Sequence, residues 1–197
     1  MSRPSQIDEK RRQLMPIVAR TFAELGYRRT TTAELARRCE VRENILYRLW
    51  PSKKRMFIAA IGYVYDSSVD IWNNLLAETD GHGSTAQRLL EYESHHHGEY
   101  GQYRIVFAGL SETDDPDIRA ALADMYQRYR RFLSEQIVAH RSQRSSLTPP
   151  DAVLAAWAIV GLGTVANIGR ELGLLGSRQR RRLMGEVGRL LLEGSAA

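Results

Sequence analysis

Histidine and carboxylate side chains concentrate in one place, the run ESHHHGE at residues 93–99. On a helix Glu91, His95 and Glu99 fall four apart and share a face, and Glu93 and His97 form a second such pair. Imidazole and carboxylate in that pattern are ligands for zinc or another divalent cation, so a metal-responsive role is one reading. A solvated run near a helix end, with Gly98 beside it, is the plainer reading, and neither a resident metal nor any other cofactor is expected. Nucleophilic chemistry has less to work with. Cys39 is the only cysteine; it cannot form an internal disulfide, and packing accounts for it better than reactivity. A glycine-rich phosphate loop, a nucleophile elbow and a zinc-protease helix motif are all missing from the sequence. An enzyme is therefore not expected.

Positive charge forms the second concentration. Residues 1–55 hold 14 Lys+Arg against 6 Asp+Glu, a net of +8, whereas the rest of the chain has a net of −3. A basic head on a mildly acidic body points one end at a polyanion. Charge alone would suit a non-specific basic DNA-binding or membrane-surface protein, so the argument has to come from the elements that carry the charge. At 197 residues, 43% hydrophobic and 26% charged, the chain is long enough for a real core. It contains no series of short β-branched segments, which predicts an all-α protein. The N-terminal MSRPSQIDEKRRQ has no apolar core of a signal peptide, so a cytoplasmic protein is expected.

Leu14, Ile17, Val18, Phe22 and Leu25 recur at helical spacing, and Gly26 stops that helix. Pro16 in its interior predicts either a kink or a start near Arg12. Thr31-x-x-Glu34 is a capping-box pattern for a short second helix lasting to about Arg38. A turn at Cys39-Glu40-Val41 leads to a third short helix, RENILYRLW, which Pro51 ends. Ser52 is a candidate N-cap for a long fourth helix reaching toward Glu78. A glycine-rich loop, TDGHGST, then precedes a helix from about Thr85 to Tyr100. The apolar stretch YRIVFAGLS follows, and then a long helix from Asp114-Asp115-Pro116 to roughly His140. After the polar linker RSQRSSLTPP come two last helices, about Asp151–Leu172 and Ser177–Glu193.

Two short helices joined by a tight turn, preceded by a third and set in the basic region, read as a helix-turn-helix. The stretch TTTAELARRCEVRENILYRLWPSKKRMF resembles the DNA-binding region of the TetR family of bacterial transcriptional regulators. The likeness rests on the threonines before A-E-L-A, the valine after the turn, L-Y in the third helix, the aromatic residue and the P-S-K that follows. It covers roughly residues 10 to 60; beyond that it is architectural. The resemblance implies a helix-turn-helix DNA-binding domain over residues 1–51. It implies a larger helical effector-binding and dimerisation domain over 52–197, dimerising through the last two helices. The function implied is that of a ligand-responsive regulator, most simply a repressor released from double-stranded operator DNA by a small molecule.

On the third helix Arg42 could donate to guanine and Asn44 to adenine, while Glu43 could accept from a cytosine amino group. Ile45 and Leu46 should face the core. Tyr47 has a ring to pack and, by the family likeness, a hydroxyl for phosphate. Thr31, Thr32, Arg48 and Lys53 are placed as phosphate contacts. The sequence departs from the family pattern at Glu40, where glycine is frequent, and at Arg42, where a serine cap is usual. Asn44 stands for a small residue and Leu49 for a histidine, and all these positions lie at or beside the base-reading surface.

Residues 152–169 carry no charge. A membrane span has that appearance, but Thr164, Asn167 and three glycines suit a close helix contact better, and no membrane partner is expected. Trp157 and Val160, with Leu183, Val187, Leu190 and Leu191 of the last helix, are the candidate homodimer interface, closing a four-helix bundle about a two-fold axis. Trp72, Tyr92, His96, Tyr100, Tyr103, Phe107, Tyr126 and Tyr129 are the candidate effector contacts.

Overall fold

The computed structural model describes residues 6–77, 83–142 and 151–193. Glu78, residues 79–82 of the expected loop and residues 143–150 of the expected linker lie outside them. Every element among the described residues is helical: α1 (Gln6–Arg29), α2 (Thr32–Arg38), α3 (Glu43–Leu49), α4 (Lys53–Ala77), α5 (Thr85–His96), α6 (Tyr103–Leu110), α7 (Pro116–Ser142), α8 (Ala152–Glu171), α9 (Ser177–Arg182), a π-helical turn (Leu183–Val187) and α10 (Gly188–Glu193).

The chain folds as two compact units. The first comprises the chain up to Ser67 together with Tyr100–Met125, and the second comprises Ser68–Glu99 together with the chain from Tyr126 onward. In the first unit α1 buries Leu14, Val18, Ala19 and Phe22, and α4 buries Met56, Phe57, Ala60 and Ile61. The Phe22 and Phe57 rings meet edge to face at 4.9 Å, and α6 packs along α1. The helix α1 starts at Gln6, earlier than Arg12. Its only non-helical backbone is at Gly26, with φ of 75°, and not at Pro16. Pro16 lies on the exposed side, where water can satisfy the carbonyl that the ring deprives of a donor.

The second unit packs Ala86, Ile137, Ala155, Ala156 and Leu192 into one cluster and Leu162, Ala166 and Met184 into another. Its last long helix starts near Asp151, as expected. Asp151 accepts from the backbone N–H groups of Val153 and Leu154 at 2.8 and 3.1 Å. Two helix ends differ from expectation. The helix α5 stops at His96, with Gly98 and Gly101 at φ of 70° and 68°. The last helix is broken by the π turn, so it is not one continuous rod.

Candidate nucleic-acid interface

Thr31 caps α2 by accepting from the Glu34 N–H at 3.1 Å. The return half of the expected capping box is not made. The Glu34 carboxylate instead takes Arg37 in a two-pronged contact, 2.8 Å at each oxygen, and Arg38 Nε at 2.6 Å. Two cations outcompete one backbone donor for a carboxylate. They hold the Glu34 carboxyl down to about 2, from an ordinary 4.5, chiefly through the Arg37 and Arg38 hydrogen bonds. Arg38 also meets Glu24. The turn then puts Glu40 at φ 53°, the left-handed backbone that glycine adopts more easily.

The helix α3 is seated by Leu46 and Leu49, both buried, with Trp50 behind them; Ile45 is half-buried. Leu49 therefore belongs to the core and does not lie beside the base-reading surface as the family comparison implied. Arg42 is the N-cap residue, and its side chain makes no cap bond. Arg42, Glu43, Asn44 and Arg48 are all exposed, and their side chains have no hydrogen-bond or ion-pair partner among the described residues. Tyr47 is 46% exposed, and its hydroxyl donates to Thr32 Oγ1 at 3.2 Å, tying α3 to the start of α2. Ser52 accepts from the Arg55 N–H at 3.1 Å and so caps α4. Lys53 Nζ donates to the Tyr27 and Thr30 carbonyls at 3.1 and 3.0 Å, and it sits 4.5 Å above the Tyr27 ring.

A two-turn helix on a small apolar footing, with unpartnered donors and acceptors outward and a basic surround, is suited to base edges in a major groove. Residues 19–60 match the family of bacterial regulatory proteins, tetR family. Over that stretch the chain is similar to the TetR family of regulators. A further relative is the uncharacterized helix-turn-helix-type transcriptional regulator YuxN of Bacillus subtilis, 28% identical over 82 residues; the match covers 42% of this chain and 28% of that protein. Solved TetR-family folds extend the likeness along the chain. A protein described as a TetR-family transcriptional regulator from a Rhodococcus species has a TM-score of 0.78 at 16% identity, covering 93% of this chain and 99% of its own. The regulator FadR of Bacillus subtilis, in complex with stearoyl-CoA, scores 0.69 at 15%, covering 94% and 99%. A protein described as a transcriptional regulator from Saccharomonospora viridis, in complex with choline, scores 0.73 at 19%, covering 91% and 95%. At such identities these structures show the shared fold. The matched residues 19–60 fall within the head described above.

The other singled-out residues fall into separate groups. Trp72 is buried, stacks on Phe132 at 4.9 Å, meets Tyr129 edge-on at 5.9 Å and donates from Nε1 to Glu93 at 2.7 Å. Tyr126 is half-buried in the same unit, and burial raises its hydroxyl pKa. Tyr92 stacks on exposed His96 at 4.6 Å. Tyr100, 67% exposed, belongs to the first unit, as do Tyr103 and Phe107, whose rings meet at 5.7 Å. Because α5 ends at His96, Glu99 does not continue the Glu91–His95 face but pairs with His96 at 2.8 Å. His97 turns inward between Glu93 at 2.8 Å and the Gly163 carbonyl at 3.0 Å. Among the described residues the histidines and acids form no group of three able to hold a metal.

On α8, Trp157 is exposed and Val160 half-buried; on the last helix Val187 and Leu190 are exposed and Leu183 and Leu191 half-buried. Sequence reasoning did not single out Leu154, Val165 and Ile168, which are also exposed on α8. It likewise overlooked Arg11, whose guanidinium donates from Nε and a terminal nitrogen to the Leu49 carbonyl at 2.9 and 2.7 Å. Leu154, Val165 and Ile168 recur at heptad-like intervals, a signal already present in the sequence; a contact spanning 38 positions leaves none.

Proposed function

We propose that this protein is a TetR-family regulator acting as a homodimeric transcriptional repressor. In this reading residues 1–51 bind a palindromic operator, and residues 52–197 dimerise and bind a small-molecule effector that releases the DNA. The observation that carries it is the contrast within the head. Arg37 and Arg38 are taken up by acids, and Arg11 and Lys53 by carbonyls, while Arg42, Glu43, Asn44 and Arg48 on α3 are exposed and unpartnered. Arg42, Glu43 and Asn44 read bases, and Thr31, Thr32, Tyr47 and Arg48 hold phosphates. An ammonium has three donors, so Lys53 retains one for a phosphate beyond the two carbonyls it serves.

One short helix reads few base pairs, and a palindrome read by two heads about 34–36 Å apart supplies the rest. The exposed residues of α8 and α10 are the surface for that pairing. Stearoyl-CoA and choline in proteins of the same fold support a small-molecule effector, for which Trp72, Tyr126 and Tyr129 are the candidate contacts in the second unit. The effector acts by binding more tightly to the state whose heads miss the operator. The protein works in the cytoplasm, where its DNA is, and has no catalytic role.

Selection from random duplex DNA tests the reading. The wild-type chain enriches a palindrome, Arg42→Ala relaxes preference at one position of each half-site, and Lys53→Ala weakens all duplexes while lowering the salt slope by about 1. Equal binding of every duplex at low ionic strength, without small molecules, would falsify it.

A further inference from the structure

The recognition helix is held at its far end. The α3 N-terminus has no side-chain cap, but at its C-terminus the Leu49 carbonyl takes two donors from Arg11, a residue of α1. The last carbonyls of a helix have no partner within it and carry its negative pole. A guanidinium there satisfies the oxygen and opposes the charge together. Arg11 is itself steadied from below by Asp8 Oδ1 at 3.3 Å. That neighbouring carboxylate makes Arg11 a poor phosphate ligand.

From this geometry we infer that Arg11 is a positioning residue for sequence recognition: it fixes the tilt of α3 without touching DNA. From Arg42 to Leu49 the helix rises about 10 Å. A swing of roughly 10° about its clamped end moves the base-facing end by nearly 2 Å, beyond the about 0.5 Å within which a recognition group must be held. The core side chains Leu46 and Leu49 resist lifting of the helix but are non-directional. The two Arg11 bonds to one carbonyl supply the direction. The residues that read sequence thus depend on a side chain from the preceding helix, which neither the helix-turn-helix spacing nor the charge count marks.

The inference rests on operator binding by this head, so the test separates the two. The probe is the duplex that the wild-type chain selects, measured beside a scrambled duplex across a salt series, with Arg11→Met and Arg11→Lys. The methionine keeps the apolar stem and loses every donor; the lysine keeps stem and charge with a point donor in place of the fork. Arg11→Met is expected to cut the selected-to-scrambled affinity ratio about tenfold with scrambled-duplex affinity and salt slope unchanged, and Arg11→Lys to recover part of it. Faster exchange of the Trp50 amide, which bonds the Leu46 carbonyl at 2.7 Å, should accompany the loss. A salt slope lower by about 1 makes Arg11 a phosphate ligand and overturns the inference, as does an unchanged ratio. Should Arg11→Met not fold, Arg11→Lys decides alone: an unaltered ratio and unaltered exchange refute the inference. A wild-type chain that selects no duplex refutes operator recognition itself.

Discussion

Glu34 governs how much of the positive charge on α2 is paired. It binds Arg37 and Arg38 at once, and their hydrogen bonds hold its carboxyl at about 2. A carboxylate depressed in the folded state contributes stability that is complete above its ordinary pKa and is lost as pH falls through the folded one. Wild-type acid unfolding should therefore draw on this group between pH 4.5 and about 2, and Glu34→Gln should flatten that part of a pH series of melting temperatures. The same change releases Arg37, so scrambled DNA should bind more tightly with a salt slope steeper by up to about 1. An unchanged acid limb together with unchanged DNA binding would show the triad to be idle. Local side-chain logic made the caps at Thr31 and Ser52 legible in advance. It could not find what Glu34 does, because the backbone donor and the two guanidiniums were all within sequence reach and only their competition in space decided between them. Lys53 shows the same limit: it was read as a phosphate ligand, yet the fold also spends it on the carbonyls of Tyr27 in α1 and Thr30 just after it.

Five helix C-termini among the described residues are met by cations borrowed from other elements. Arg11 serves α3, Lys53 the Tyr27 carbonyl in the last turn of α1, Arg88 the Leu75 carbonyl of α4, Arg170 the His97 and Gly98 carbonyls after α5, and Arg141 those of Leu191 and Leu192 in α10. Starts were readable because an N-cap lies next to its helix; ends were less so, because these closures come from residues far off in sequence. The end of α5 illustrates both. His97 leaves the helix as its ring passes between Glu93 and the Gly163 carbonyl, and Asn167 Nδ2 lies 3.1 Å from the same ring nitrogen. Gly163 is needed for that contact, since a Cβ there would stand 2.9 Å from the imidazole. Gly163→Ala should cost about 1–3 kcal/mol because a ring pinned at both nitrogens cannot yield. Gly62→Ala, in α4 with nothing within 4 Å of the new carbon, should instead gain about 0.5–1 kcal/mol from helix propensity. Urea melts of the two variants separate a packing glycine from an unconstrained one; equal effects would remove the distinction.

The arrangement of α8 bears most directly on assembly. Its inward face is made largely of small residues, Ala155, Ala156, Gly163, Ala166 and Gly169 beside Leu162, whereas Leu154, Trp157, Val165 and Ile168 point outward. With a mean hydropathy of 1.8, the helix is long and apolar enough to cross a membrane. Having both faces apolar is also why the sequence offered an interface helix as an expectation without indicating which side would pair: periodicity fades when neither face is polar. Larger side chains outside than inside are the reverse of a helix that ends its packing within one chain, and Leu190 of α10, 65% exposed, repeats the pattern. Val165→Arg and Leu190→Arg each place a cation on the proposed surface without touching the inward face. Both should therefore leave the helical signal intact and convert a dimer to monomers in sedimentation at micromolar concentration. Because two linked heads gain about 10²–10⁴ in avidity over one, either variant should lose operator affinity by that order while keeping its affinity for an isolated half-site. If both remain dimeric, the copies meet through some other surface; if both become monomers yet bind the full operator undiminished, the two heads are not reading it as a linked pair.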